Sequence, residues 1–371
     1  MRIVGIVAEY NPFHAGHRYH ITETRRRLSG DCAVVAAMSG NFVQRGDCAV
    51  LDKWSRARMA LEGGADLILE LPTVWAASSA EHFAFGAVSI LKAAGVDTLS
   101  FGSESGSSEP LKQIAAVLDT ESFQETLQGY LGQGLPFAVC RQKAVEDLLG
   151  EEIASHLSNP NDNLGVEYLK AARRLGFDPD VVAVPRVGAA HDGGSHPEYP
   201  SASHVRKLIL NGEMAVENPA SLRYNERGVL TRLRSMTPEE LEALPDSGEG
   251  LAIRLYEAVR KADTLEQVCD LAKTKRYAHA RIRRMVLWAA LGLRECDRPV
   301  QVPYLRVLGA NERGRAVLKS IPEDVTIITK PSHGKGIPLM ELEARCTDFY
   351  GLCRKKITPC GREWSTSPII I

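Results

Sequence analysis

No apolar run in this chain approaches the roughly 20 residues that a helix needs to cross a bilayer. A basic-then-apolar leader is also missing, since a strand-like segment follows Met1 directly, and the expected location is cytoplasmic with no membrane partner. There is no excess charge of one sign: 45 Lys and Arg against 46 Asp and Glu leave a formal net charge of −1. A molecule-wide field therefore does not draw this protein onto nucleic acid, and any RNA-binding surface must be local. The eight cysteines lack paired spacing; Cys346, Cys353 and Cys360 recur every seven residues, which is not a zinc spacing, so reduced thiols are expected. There is no internal repeat or low-complexity tract, and no Ser-His-Asp or Cys-His arrangement for nucleophilic catalysis. What is present is an apolar fraction of 44% and a charged fraction of 25% over 371 residues. That composition is soluble and globular, and the length suffices for two cores.

The most informative stretch is Ala8-Glu9-Tyr10-Asn11-Pro12-Phe13-His14-Ala15-Gly16-His17. The apolar run before it, residues 3–7, reads as a buried strand; residues 18–28 after it have helical spacing with neither Gly nor Pro. Two histidines thus flank Ala15-Gly16 at a strand-to-helix turn, where Gly16 allows close approach of a ligand to the backbone. Free N–H groups and the positive end of the helix dipole make such a turn a natural phosphate site. Two imidazoles beside it can donate to phosphate oxygens whose charge builds up during transfer. Ordinary loop and cap histidines are the plainer reading. His14, His17 and His20, at three-residue steps, are also candidate metal ligands, but no Cys or carboxylate completes a set nearby.

Further along, residues 31–38 are a second buried strand, and a polar loop over 39–47 suits substrate contact at the carboxyl ends of the strands. A helix over 52–62, a strand over 66–71 stopped by Pro72, a helix over 79–92 and a strand over 97–101 follow. Helices are expected over 109–119, 121–130, 137–149 and 164–175, with a turn at 158–163 and a fifth strand over 181–184. Alternating strands and helices argue for a parallel sheet covered on both faces. Right-handed crossovers place the His14–His17 turn, the Gln44–Asp47 loop and Gly102-Ser103 on one edge of it, where ligands bind. After a loop containing His191-Asp192, Ser201 or Ser203 can cap a helix running through Ile209. With Arg206 this forms a second anion site, suited to the outer phosphates of a nucleotide.

After about residue 213 strands thin out and helices dominate, over 238–244, 250–262, 265–274, 279–291 and 313–320. Residues 304–309 and 325–329 supply a little β or irregular structure. Lys273, Lys275, Arg276, Arg281, Arg283 and Arg284 concentrate positive charge; the bland reading is a solvated helix face. In a chain of neutral balance they give a one-sided field, and Tyr277 among them can stack on a base.

The strand, Asn-Pro-Phe, His-x-Gly-His and helix together resemble the signature of the nucleotidyltransferase superfamily, and Ser201-x-Ser203-x-Val205-Arg206 looks like its second signature. Gly5-Ile6-Val7-Ala8-Glu9-Tyr10-Asn11-Pro12-Phe13, Met38-Ser39-Gly40-Asn41-Phe42-x-Gln44-Arg45-Gly46-Asp47, Phe101-Gly102-Ser103-Glu104, Pro160-Asn161-Asp162 and Lys273-Thr274-Lys275-Arg276-Tyr277 narrow this to a resemblance to the tRNA(Met) cytidine acetate ligase family. It spans nearly the whole chain, except the part after about residue 345. Asp162 and Asn163 depart from the family's usual Asn and aliphatic residue. The resemblance implies an α/β Rossmann-like nucleotidyltransferase domain over residues 1–213 and a mainly α-helical tRNA-binding domain over 214–371.

The implied activity is a ligase. It adenylates acetate with ATP, releasing diphosphate and then AMP, and moves the acetyl group to the exocyclic amine of the wobble cytidine of elongator tRNA(Met). The resemblance places ATP against Val7, Ala8, Glu9, Tyr10, Asn11, Pro12, Phe13, Gly16, His20, Gly102, Asn161 and Arg186, with Ser203 and Arg206 as the second anion site. His14, His17, Arg186 and Arg206 would meet the α-phosphate charge, with Mg²⁺ on the outer phosphates. Arg45 would clamp the acetate carboxylate. Lys273, Lys275, Arg276, Tyr277, Arg281 and Arg284 would hold the tRNA. A homodimer stays open. The alternatives are a small-molecule nucleotidyltransferase, which has no use for a basic helical region, and a non-catalytic RNA-binding protein.

Overall fold

β1 (Arg2–Ala8) and β2 (Cys32–Ser39) form the centre of a sheet because they are apolar on both faces: β2 is buried along its whole length. The structure, a computed structural model, describes residues 1–186 and 201–371; the loop with His191-Asp192 lies outside the described residues. The later strands are β3 (Phe42–Val43), β4 (Asp47–Cys48), β5 (Leu67–Leu71), β6 (Thr98–Ser103), β7 (Asp180–Pro185), β8 (Leu305–Ala310), β9 (Ile327–Ile328) and β10 (Ile369–Ile370). The main sheet is ordered β10-β8-β5-β2-β1-β6-β7, with β9 paired to β8 and β3–β4 a separate hairpin. From β5 to β7 all neighbours are parallel, and Gly5 stands in register with both Val35 and Leu99. A Cβ at Gly5 would meet Leu91 and Val96 at 2.9 Å, so the end of the helix Ala80–Ala93 rests almost on the strand backbone. Strand order reverses at β1, since β2 lies on one side and β6 on the other. A crevice therefore opens outside the carboxyl ends of β1 and β6.

Two helices start earlier than their expected positions. α1 (Ala15–Arg27) begins before residue 18, which puts His17 and His20 inside it. The helix Pro160–Arg174 absorbs much of the expected turn at 158–163, with Pro160 at its first position. The polar loop over 39–47 carries the β3–β4 hairpin.

The larger difference lies near the C-terminus. Residues 305–310, expected as minor β or irregular structure, are a fully buried strand, β8, antiparallel to β5 with Ile68 opposite Gly309. β10 then pairs with β8, so the sheet is mixed rather than wholly parallel and draws strands from both sides of the expected boundary at 213. The helices Glu226–Ser235, Leu251–Lys261, Leu265–Ala272 and His279–Leu291 form an excursion between β7 and β8. Their apolar residues join the sheet's in one continuous core, in which Leu69, Leu255, Trp288 and Tyr350 all take part. Among the described residues no helix is long and apolar enough to cross a membrane, and all eight cysteines are free.

Candidate functional site

His14 is itself the N-cap of α1: its Nδ1 accepts the Gly16 N–H at 3.0 Å, and the His17 Nδ1 accepts the His14 N–H at 3.3 Å. The two imidazoles thereby form a reciprocal capping box, a job usually done by Ser or Thr with Glu. The consequence is chemical. With Nδ1 of both rings accepting from backbone, the neutral tautomer carries its proton on Nε2, and each ring keeps one donor for a ligand. The rings lie 3.9 Å apart between centroids, and Tyr10 packs edge-on against His17 at 4.9 Å. Burial, then the Arg186 and Arg206 charges, hold the His14 pKa down to about 4. Burial and its histidine neighbours push His17 well below the usual range. His20 is likewise held to about 4 by burial and Arg186, and its Nε2 lies 2.9 Å from Ser100 Oγ. These are neutral donors at physiological pH, not bases.

They face a cavity of about 330 Å³ at the crevice between β1 and β6. It is lined by Val7, Ala8, Glu9, Tyr10, Asn11, His14, Gly16, His17 and His20 from the first turn, and by Gly102, Asn161, Arg186, Ser203 and Arg206 from elsewhere. Gln44 and Arg45 reach it from the hairpin. Pro12 and Phe13, expected beside them, do not line the cavity; Phe13 is buried under Tyr10 at 5.0 Å between ring centroids. Ser201 caps the helix Ala202–Asn211 by accepting the His204 N–H. That leaves Ser203 to accept from Arg206 Nη2 at 2.9 Å, while Arg206 Nη1 donates to the Asn11 carbonyl at 2.8 Å. Across the cavity, Glu104 accepts from the Asn161 backbone and side-chain N–H groups, and Arg186 Nη1 donates to Asn161 Oδ1 at 2.9 Å. Asp162 points away, buried, accepting from Ser103 Oγ and Asn159 and lying 3.1 Å from His156 Nδ1. It organises this turn rather than facing the cavity.

The hairpin carrying Arg45 is set by buried polar contacts. The Arg56 guanidinium is buried and, among the described residues, donates only to carbonyls: Leu51, Glu9, Ser39 and Gly40. It ties the end of β1 to the end of β2 and to the start of α2 (Lys53–Glu62). Asn41 accepts the Lys53 N–H and donates to Thr347, and the Tyr350 hydroxyl donates to the Ala49 carbonyl at 2.8 Å. Asp52, the cap of α2, meets Arg354 at 3.1 Å and Arg362 at 3.4 Å. The last turns of the chain are therefore the backing of the substrate-side loop. At its tip, Gly46 has φ +74°, and a Cβ there would overlap the backbone of Arg283 and Arg284. The loop beside the cavity thus rests directly on the helix His279–Leu291.

The basic segment divides in two. Arg281 pairs with Glu249 at 2.6 Å, Arg284 with Asp246 at 2.8 Å and Arg283 with Glu266 at 2.9 Å. Tyr277 is buried and its hydroxyl donates to the Glu249 carbonyl, so its ring is not offered for stacking. Lys273, Lys275 and Arg276 are exposed and make no ion pair among the described residues. Lys275 and Arg276 border an open concavity with Arg254 and Glu257.

Sequence reasoning missed several residues that shape the site. Phe83, Leu164 and Tyr168 supply its apolar wall, Glu104 aims Asn161, and Arg56 holds the loops. The helical spacing of Leu164 and Tyr168 carried the signal for that wall; nothing in the sequence marked Arg56.

Comparison with known proteins agrees with this geometry. A family profile described as HIGH Nucleotidyl Transferase matches residues 1–363. The tRNA(Met) cytidine acetate ligase of Alkaliphilus metalliredigens is 36% identical, with 96% of this chain and 95% of the relative covered. The crystal structure of Thermotoga maritima TmcAL in its apo form I superposes with a TM-score of 0.92 at 31% identity, with both chains fully covered. The form II structure of TmcAL bound with alpha-thio ATP superposes with a TM-score of 0.89 at 31% identity, again over both full chains. On these grounds the chain belongs to the tRNA(Met) cytidine acetate ligase family of His-x-Gly-His nucleotidyltransferases.

Proposed function

We infer that this protein is an ATP-dependent ligase that activates acetate as the acetyl-adenylate and transfers the acetyl group to a cytidine of tRNA(Met). The observation that carries the reading is the pair of neutral imidazoles whose Nδ1 atoms are occupied by backbone N–H groups, beside a cavity bordered by Arg45, Arg186 and Arg206. Acetate and the α-phosphate of ATP are both anionic, so their approach requires fixed positive charge and oriented donors. His14 and His17 donate from Nε2 to the phosphoryl oxygens on which charge grows, and Arg186 and Arg206 neutralise the flanking phosphates. Arg45, at the hairpin tip, holds the acetate carboxylate. Among the described residues no cluster of three His, Cys, Asp or Glu side chains forms a metal cage. The cavity donors suit phosphate rather than a cation, so Mg²⁺ in this reading travels on the outer phosphates of the nucleotide.

The part up to about residue 213 supplies the nucleotide and acetate sites. The part from 214 supplies the RNA face, with Lys273, Lys275 and Arg276 as its free cations and elongator tRNA(Met) in the cytoplasm as the partner. The wobble cytidine is splayed from its loop to reach the cavity. Acetate-dependent conversion of ATP to AMP and diphosphate is the test. ATP consumption that is indifferent to acetate, or that yields ADP, contradicts the reading.

A further inference from the structure

We propose that the Glu9 carboxylate receives the attacking amine of the cytidine, accepting a hydrogen bond from its N4–H and then taking the proton. This rests on the ligase reading above. On that reading the cavity takes anions, and its described lining carries three arginines and a single carboxylate, Glu9. A carboxylate there repels both phosphate and acetate, so it is out of place in a site that only binds ATP. Its backbone is fixed, because the Glu9 carbonyl accepts from buried Arg56 at 2.6 Å. One side-chain oxygen, Oε1, accepts the Gln44 N–H at 2.8 Å. The other makes no hydrogen bond to a described residue.

Glu9 is also linked through the hairpin to the helix that follows the exposed Lys275 and Arg276. Gln44, which it holds, precedes Arg45 and Gly46 in the hairpin, and Gly46 lies against the Arg283–Arg284 backbone of the helix His279–Leu291. Among the other described groups lining the cavity, none is a ready base. His14 and His17 have Nδ1 engaged by backbone and a proton on Nε2, and His20 is bound to Ser100. The cytosine amine is a hydrogen-bond donor that carboxylates recognise. Its lone pair is delocalised into the ring, so it attacks well only if an N–H proton has an acceptor as the new bond forms. In the step, the amine nitrogen bonds to the acetyl carbon and the bond from that carbon to the adenylate oxygen breaks. AMP leaves with the electron pair, and the N4 proton passes to Glu9 and then to water.

The test feeds chemically prepared acetyl-adenylate and tRNA(Met) to the full-length protein and follows N4-acetylcytidine in a single turnover. Glu9→Gln keeps the acceptor for Gln44 but cannot take a proton. Its transfer rate constant should fall on the order of a hundredfold at an unchanged half-saturating tRNA concentration. Glu9→Asp should lose less, and Glu9→Ala should regain transfer when formate is added as a replacement carboxylate. Thermal unfolding checks that the variants are folded. A Glu9→Gln protein that transfers within a few-fold of the parent overturns the proposal, as does a loss confined to tRNA affinity. Parent protein that forms no acetylcytidine overturns the ligase reading and this role together, whereas an active parent with an active Glu9→Gln overturns this role alone.

Discussion

Lys53 Nζ lies 2.6 Å from Glu363 Oε2 and 2.6 Å from Glu70 Oε1, with all three side chains closed off from solvent. Glu363 comes from the end of the chain, beyond the motifs read from the sequence, and Lys53 opens the helix behind the Arg45 hairpin. The tail therefore completes the substrate-side loop. Among the described residues, Glu363→Ala should leave Lys53 with one paired carboxylate and Arg306 with none, costing about 3 kcal/mol or more of stability. Urea unfolding measures it; a change under about 0.5 kcal/mol, the range of an ordinary surface substitution, contradicts the clamp.

Stability should also depend on pH in two opposite ways. His14 and His20 are held down to about 4 from 6.5, so the unfolded chain binds protons there that the folded chain refuses. Stability is therefore lost as pH falls from 6.5 towards 4. Burial and then Glu70 push the Glu343 carboxyl up from 4.5 to about 8. Among the described residues Lys53 bonds to Glu70 and Glu363, whereas Glu343 takes only the Thr73 N–H and hydroxyl. The folded state thus keeps a proton that the unfolded chain gives up, and stability falls as pH rises from 4.5 to 8. Between pH 6.5 and 8 the urea midpoint of the parent should decline, and Glu343→Gln should flatten that decline. An equal slope in both proteins contradicts it.

His17→Ala removes one Nε2–H donor while His14 still caps α1. Acetate-dependent AMP formation should fall on the order of a hundredfold, about 3 kcal/mol in the barrier. His14→Ala should show a similar loss plus about 1 kcal/mol of stability, because the cap goes with it. Near-normal turnover in either variant makes the pair structural.

Arg45→Ala should raise the KM for acetate more than the KM for ATP, because Arg45 enters the cavity from the hairpin rather than from the α1 turn. Equal changes in both constants remove it from the acetate role.

Reversing Lys275 and Arg276 to Glu should weaken tRNA binding and reduce its salt slope by about 2, leaving tRNA-independent AMP formation intact. Arg284→Glu should behave differently, since Arg284 is committed to Asp246. Its main effect is a loss of stability through repulsion at that pair, read by thermal unfolding. If both changes act on tRNA binding alone, the division of the basic segment is wrong.

The parallel strands and the edge that bears the site were legible because β1, β2, β5, β6 and β7 are apolar runs and chain order fixes their crossovers. β8 was not, because Arg306 interrupts Leu305-Arg306-Val307-Leu308 and its compensating carboxylate, Glu363 at 3.7 Å, lies far away in the chain. The same blindness to distant partners made Arg281, Arg283 and Arg284 look as available as Lys275. The start of α1 was misplaced because a histidine cap gives no Ser, Thr or Asp signal, yet His14 and His17 were found from their pattern alone. Pro160 did mark a helix start, but the polar Asn-rich run around it read more strongly as a turn.

The most direct measurement incubates the pure protein with labelled acetate, ATP and bulk tRNA, then digests the RNA and separates the nucleosides. The account predicts label in N4-acetylcytidine, at one AMP per acetyl group, only when all three substrates are present. Label that never reaches a nucleoside while AMP still accumulates, or acetylcytidine that forms without ATP, would contradict it.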